Sequence, residues 1–331
     1  MTGFRIVGAG LAGLLAANML SKTKHPVHIV EAQDSLPNNH SAVLRFRSSI
    51  VSDVTGIPFK EVRVMRTVQN WRNELADSLS YGFKATGTIA LRSSVRENKE
   101  MATRYIAPPD LIAQLADGFI IQFGVFSDFS APRTMPTIST IPMPVLAKAL
   151  GYTGFKEAGI EFASVPGFNM NFRIPGIDVY GSVYLPTPDT IWNRVSVTGD
   201  RVTAEYSNVK PHMVNSWLEG MSTRGDISVQ PRFAGYIDEA LNAIGLIDAI
   251  STQKVLENDF SVRRQQYQKI MPIPDRERKR FMLWASEVHS IYSLGRFATW
   301  RPGLLLDDLV NDVRQIERMA GDAYHRRLKG L

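Results

Sequence analysis

The chain has 331 residues, 44% hydrophobic, 21% charged and 9% aromatic, a composition that excludes wholesale disorder and fibrous classes and leaves room for a core larger than one small domain. Lysine and arginine number 38 against 32 acidic residues, so the formal charge of +6 suits a polyanionic partner without requiring one. The absence of cysteine excludes disulfides, thiolate metal sites and thiol nucleophiles, and leaves any redox chemistry to a bound cofactor.

Phe4 to Val7 is a short β-rich run that enters Gly8-Ala9-Gly10-Leu11-Ala12-Gly13 and then the helix-favouring stretch Leu14 to Leu20. After a loop from Ser21 to Pro26, Val27-His28-Ile29-Val30 predicts a second strand, ending at Glu31-Ala32. The result is a compact βαβ unit with a buried parallel first strand. Geometry assigns its chemistry. Gly8 permits the turn, Gly10 lets backbone approach a pyrophosphate, and Gly13 lets the helix pack closely on the strand. The helix N-terminus, at Leu11 and Ala12, offers free N–H groups and a positive dipole end to phosphates. Glu31 stands where a carboxylate can accept both hydroxyls of an adenosine ribose, and where a 2′-phosphate would be repelled.

Further along, Thr67 to Leu79 and Tyr105 to Leu115 have helical spacing, Phe119 to Phe123 and Thr137 to Pro142 read as strands, and Val145 to Leu150 as a helix started by Pro144. From Tyr152 to Tyr206, aromatic and β-branched residues alternate between turn signals, with Thr198-Gly199-Asp200 as a hairpin turn. Arg276, Arg278, Lys279 and Arg280 form a basic cluster. Near the end, Leu305, Leu306, Leu309, Val310, Val313 and Ile316 recur at helical spacing, with Asp307 and Asp308 in the first turn. The six histidines show no metal-ligand spacing, so no metal is expected. No stretch approaches the roughly 18 apolar residues of a membrane span and no secretory leader pattern opens the chain, which predicts a cytoplasmic protein with no membrane partner.

The run FRIVGAGLAGLLAANML followed by VHIVEA resembles the FAD fingerprint of glutathione-reductase-type flavoproteins. Ser293 to Trp300, followed by Leu304 to Asp308, resembles the closing FAD motif of UDP-galactopyranose mutases and flavin amine oxidases. This resemblance implies an α/β protein with FAD as cofactor. Residues 1–150 and 271–331 would form a discontinuous Rossmann-type FAD-binding domain, and residues 151–270 an inserted, mainly antiparallel β-sheet substrate domain. It also implies that Gly295 and Arg296 approach the cofactor chain, and that the helix entered through Leu305 and Leu306 points its N-terminus at the isoalloxazine, where reduced flavin carries negative charge. Asn39 to Arg47 resembles in position the second cofactor loop of related flavoproteins, which implies that Arg45 or Arg47 reaches a pyrophosphate or flavin; arginines of a surface strand are the equal alternative.

Phe172-Arg173-Ile174-Pro175, Asp178-Val179-Tyr180 and Ser290 to Arg296 are similar to small mutase-like flavoproteins encoded by bacteriophages. Among these, FAD-dependent lyases of thymidine hypermodification trim an amino acid attached to the base. The implied substrate is an anionic amine, with modified DNA as partner. The catalytic candidates are His289 and Tyr292, which precede the Gly-Arg turn, and Arg173 and Tyr180 on the inserted sheet. A sugar-nucleotide isomerase and a non-catalytic flavin-binding module are the competing readings.

Overall fold

The computed structural model describes residues 3–36, 45–89, 95–96, 101–126, 129, 135–208, 233–248, 250–257 and 259–328. Residues 39–44 of the expected second cofactor loop lie outside them. The chain begins β1 (Phe4–Val7), α1 (Leu11–Lys22) and β2 (Val27–Val30), as the βαβ reading expected. There follow β3 (Arg45–Phe46), α2 (Ile50–Thr55), β4 (Lys60–Val68), α3 (Glu74–Thr86), β5 (Ala102–Ile106), α4 (Leu111–Ala116) and β6 (Ile121–Gln122). Next come β7 (Thr137–Ser139), α5 (Met143–Ala149), α6 (Gly154–Glu157), β8 (Ser164–Arg173), β9 (Val179–Tyr184), β10 (Arg194–Gly199) and β11 (Arg201–Ser207). The last part holds α7 (Ala234–Ala243), α8 (Thr252–Leu256), β12 (Ser261–Ile270), α9 (Asp275–His289), β13 (Ile291–Ser293) and α10 (Leu306–Leu328).

Two sheets organise these elements. The first, ordered β13-β7-β1-β2-β6, is parallel throughout. Phe4, Ile6 and Ile29 are buried in it, and Leu14, Ala16 and Ala17 of α1 join Val310 and Val313 of α10 in the same core. Met143, Leu146, Phe281 and Trp300 belong to a second core built around the same sheet. The other sheet, ordered β12-β8-β11-β10-β9-β4-β5-β3, is antiparallel except where β4 runs parallel to β9. The fold is therefore α/β: a Rossmann-like parallel domain plus a mixed sheet.

Three differences from the sequence expectations have physical causes. First, β3, β4 and β5, expected within the cofactor-binding stretch, belong to the mixed sheet, because Lys60 to Val68 pairs along its length with β5 on one side and β9 on the other, and β3 pairs with β5. Second, Thr67 and Val68 end that strand, and the helix begins only at Glu74, where the Asn73 side chain accepts the Ala76 amide at 2.8 Å. Third, Tyr105 lies in β5 and the expected helix is confined to Leu111–Ala116, since Pro108 and Pro109 precede it.

The mixed sheet has two unlike faces. Phe168, Met170, Phe172, Val195, Val197, Val202 and Ala204 point to one side, where they pack with Trp192 and with Ile237, Leu241 and Val255 of α7 and α8. The residues between them in register, including Asn169, Asn171, Ser182, Arg194, Thr203 and Glu205, make the other face polar. That face is concave. Strands lie about 4.8 Å apart, so β3 and β10 would be roughly 19 Å apart in a flat sheet. Yet the Arg45 guanidinium of β3 donates to Ser182 at 2.9 Å, to the Gly181 carbonyl at 2.7 Å and to Thr198 at 2.9 Å.

Candidate functional site

In the parallel sheet the connections run in opposite directions on either side of β1, toward β2 and toward β7, and the crevice beyond the carboxyl ends of these strands is where such folds bind ligands. Four segments meet there. The loop after β1 is held by a bond from the Gly8 amide to the Val30 carbonyl, 2.9 Å. Gly8 has φ +102°, and a Cβ there would stand 2.0 Å from Thr140 Oγ1, so both conformation and space demand glycine. A Cβ on Gly13 would stand 2.0 Å from the Gly8 carbonyl oxygen, which is the close helix-to-strand packing expected of it.

Gly10 differs: an added Cβ would meet nothing within 4 Å. Its φ of −76° is open to any residue, and it caps α1 with no side-chain hydrogen bond. The floor above Gly10 is thus open, and the first amides of α1, at Leu11, Ala12 and Gly13, face no capping side chain. After β2, Glu31 accepts the Ala9 amide at 2.7 Å and the Gln33 amide at 2.9 Å, which fixes the carboxylate beside the loop with lone pairs remaining for further donors. Ala32 lies in the same bend.

The segment after β13 closes the crevice. Gly295, with φ +102°, would place a Cβ 3.2 Å from that of Ala12, so the closing turn lies directly on the first turn of α1. The turn is pinned by the Thr299 amide and hydroxyl, which donate to the Gly295 carbonyl at 2.9 and 2.7 Å. At the start of α10, Asp307 accepts the Arg47 amide at 3.2 Å and the Ser48 amide at 3.1 Å, while the Leu305 amide donates to Asp308 at 2.9 Å. Leu305 and Leu306 are thereby held beside the β3 turn. Open floor, helix N-terminus, carboxylate and glycine turn fit the phosphates and ribose of a dinucleotide.

The polar face of the mixed sheet lies across from these loops. Arg296 adds its charge to the surroundings of Glu205 and Lys269, and Asp307 to those of Arg104. On this face Arg194 pairs with Glu205 and donates to the Tyr184 hydroxyl at 3.5 Å. Two guanidiniums flank the Tyr184 ring, that of Arg66 at 5.5 Å and that of Arg194 at 5.8 Å from its centroid. Burial raises the Glu205 carboxyl, but Arg194 and Lys269 outweigh it and hold it below the usual range. Burial likewise raises the Tyr184 phenol, and Arg194 and Arg66 reverse the shift. Lys269 is lowered, by burial first; Glu205 opposes the change, while Arg194 and Arg296 reinforce it.

The structure does not bring the four expected catalytic residues together. His289 ends α9 and packs edge-on against Trp284 at 4.7 Å, at the amino end of β13 and so at the opposite end of the sheet from the glycine loop. Tyr292 is buried in the core shared with α1 and α10. Arg173 pairs with Asp200 at 3.2 Å in an exposed position at the end of β8, and the Tyr180 hydroxyl accepts Lys60 at 2.9 Å beside Asp178. Arg45 is committed within the mixed sheet, where burial first and Arg194 next bring its pKa down to about 10, which removes it from any pyrophosphate. The basic cluster on α9 is largely paired along its own helix, Arg278 and Lys279 with Asp275 at 2.7 and 2.9 Å and Arg280 with Glu277 at 3.7 Å. Sequence reading missed Arg66, Tyr184, Arg194, Glu205 and Lys269. Period-two alternation in β10 and β11 was the available signal for Arg194 and Glu205; β12 is too polar to announce Lys269. Among the described residues there is no group of three or more His, Cys, Asp or Glu able to hold a metal, and no helix long and apolar enough to cross a membrane.

Fold and site define the class of Rossmann-type folds seen in FAD-binding oxidoreductases. Residues 6–41 match the family of NAD(P)-binding Rossmann-like domains. A reduced UDP-galactopyranose mutase is similar over 97% of this chain and 94% of its own, at 12% identity and a TM-score of 0.68. A putrescine oxidase bound to putrescine is similar over 98% and 99%, at 11% identity and a TM-score of 0.55. The PF1083 protein of Pyrococcus furiosus is similar over 96% and 97%, at 12% identity and a TM-score of 0.53. No curated protein sequence matches significantly.

Proposed function

We propose that the chain is an FAD-dependent oxidoreductase that opens a carbon–nitrogen bond of an anionic amine. The substrate class we infer is an amino-acid-modified thymidine in DNA, as for the bacteriophage lyases that its sequence resembles. The observation that carries the cofactor assignment is the packing of Gly295 on Ala12, which joins the closing turn to the phosphate-binding helix above the open floor at Gly10. Gly8 to Gly13 then hold the pyrophosphate, Glu31 and Ala32 the ribose, and Gly295, Arg296, Leu305 and Leu306 the ribityl and ring end. Arg47, beside Asp307, stands at the rim. FAD, when bound, supplies a two-electron acceptor.

Lys269 of the polar face, set among Glu205, Arg194 and Arg296, is the residue we assign to proton handling: burial first lowers its pKa, which makes it readier than a free lysine to stand neutral and take a proton from a substrate ammonium. The amine is then oxidised as the free base: its carbon gives up a hydride equivalent to become an imine. Water adds to the imine carbon, the carbon–nitrogen bond breaks, and an amine and a carbonyl product separate. Molecular oxygen is the final acceptor. For a glycyl adduct the products are an aminomethyl base and glyoxylate.

Anaerobic incubation of FAD-loaded protein with amino-acid-modified DNA, unmodified DNA and UDP-galactopyranose, following the oxidised flavin absorbance, tests this reading. Bleaching by modified DNA alone is the expected result. A sugar-nucleotide isomerase is the second reading, favoured by the likeness to the mutase fold; turnover of UDP-galactopyranose by the reduced protein, without bleaching by modified DNA, would establish it instead. A flavin that no substrate changes would leave a binding module.

A further inference from the structure

We infer that Arg66 and Arg104, with Arg47 at the rim, form a subsite that takes a phosphate group of the substrate. The inference deepens the proposed function and rests on its placement of the polar face beside the cofactor crevice.

The register puts these arginines on one surface. Arg66 of β4 lies opposite Ser182 of β9, and Arg104 of β5 lies opposite Val62 of β4. Residues 62, 64 and 66 share a face by the period of a strand, so Arg66, Arg104, Ser182 and Tyr184 line the same concave side. The Arg66 guanidinium stands 5.5 Å from the Tyr184 ring, and Arg47 follows β3 with its amide on Asp307. Nearby arginines are engaged, Arg45 by hydroxyls and carbonyls, Arg194 by Glu205 and Arg63 by the Met101 carbonyl at 2.7 Å, while Arg104 itself donates from Nη1 to the Thr103 carbonyl at 2.6 Å. Among the described residues, the guanidiniums of Arg47, Arg66 and Arg104 have no carboxylate within 4 Å.

Charge then selects the ligand. Among the described residues, three guanidiniums beside the carboxylate of Asp307 leave two positive charges unbalanced, which a phosphate monoester or two neighbouring diester phosphates would neutralise. The imbalance is felt within the cluster, since burial first, and then Arg66 and Arg47, push the Arg104 guanidinium below its ordinary value. A carboxylate would answer only half of it, whereas a phosphate presents enough oxygens for two or three arginines together.

The test is calorimetric titration of the purified protein with inorganic phosphate, thymidine 5′-monophosphate and a ten-nucleotide oligothymidylate. The same titrations are run on Arg66→Ala, Arg104→Gln and Arg63→Ala, with FAD content measured for each. Arg63→Ala removes an equal charge from the opposite face of the same strand. Binding of a phosphate probe, weakened about tenfold or more by Arg66→Ala and by Arg104→Gln and unchanged by Arg63→Ala, is the expected result. Equal binding of monophosphate and oligonucleotide identifies a nucleotide phosphate. A clear preference for the oligonucleotide, with a log–log salt slope of about −0.7 per phosphate, identifies a nucleic-acid backbone. No binding of any probe, an equal loss in Arg63→Ala, or loss of FAD rather than of phosphate binding in the two face variants would each overturn the subsite. The titration is independent of turnover: failure of the amine oxidation with phosphate binding intact rejects the proposed reaction alone, and the converse rejects the subsite alone.

Discussion

Gly8 and Gly10 stand two residues apart in one loop and carry opposite demands. Gly8 combines φ +102° with a Thr140 hydroxyl where a side chain would be, so Gly8→Ala should destabilise the protein itself. Gly10 has an ordinary φ and open space around its absent Cβ, so Gly10→Val should leave the unfolding midpoint nearly unchanged while abolishing the flavin absorbance of the purified protein. Retained FAD in Gly10→Val would show that the loop is only structural. Lys269 makes a prediction of another kind. Its pKa is lowered from a free value of about 10.4, and the proposed reaction needs its neutral amine, so the rate of flavin reduction should rise with pH and level off below that value. The sign follows from the direction of the shift: below the depressed pKa the group is protonated and cannot accept a proton. Lys269→Met should slow reduction and remove this limb from the profile; an unchanged limb would assign it to the substrate amine instead.

Within the mixed sheet, the alternation of residue types separates stability from function. Phe172 is fully buried on the apolar side among Trp192 and the helices α7 and α8, so Phe172→Ala should cost about 3–5 kcal/mol in denaturant unfolding while leaving the flavin spectrum of the folded fraction unaltered. A spectral change without loss of stability would contradict the two-faced sheet. The same alternation explains what could be read beforehand. The first βαβ unit was legible because glycine geometry, a following helix and an acidic residue are all local requirements. The hairpin of β10 and β11 was legible because Gly199 sits at its turn with φ +66°. β4 and β12 were not, since each mixes charged with apolar residues and is held by partners remote in sequence: β4 pairs with β9, and β12 with β8. Tyr292 and His289 looked close to the flavin turn in sequence, but a strand carries the chain from one end of the sheet to the other, and only the residues after β13 arrive at the crevice. The cluster of Arg66, Tyr184, Arg194, Glu205 and Lys269 draws on five strands, which no local pattern assembles.

At the scale of the whole molecule, the crevice is built from both ends of the chain: Gly8 to Gly13 and Glu31 from the first strands, Gly295 and the start of α10 from the last. Asp307 ties α10 to the turn after β3, and α1 packs with α10 in one core, so the two ends already cohere without a ligand. FAD bound across them would engage a geometry that the unfolded chain lacks, and such a ligand stabilises by mass action, about 2.7 kcal/mol at a free concentration one hundred times its dissociation constant. The thermal midpoint of the stripped protein should therefore rise with added FAD and keep rising with its logarithm beyond saturation. Gly10→Val provides the control, because it keeps the core contacts between α1 and α10 while closing the floor; its midpoint should match that of the stripped protein and not respond to FAD. Equal responses in the two proteins would place the flavin away from this crevice.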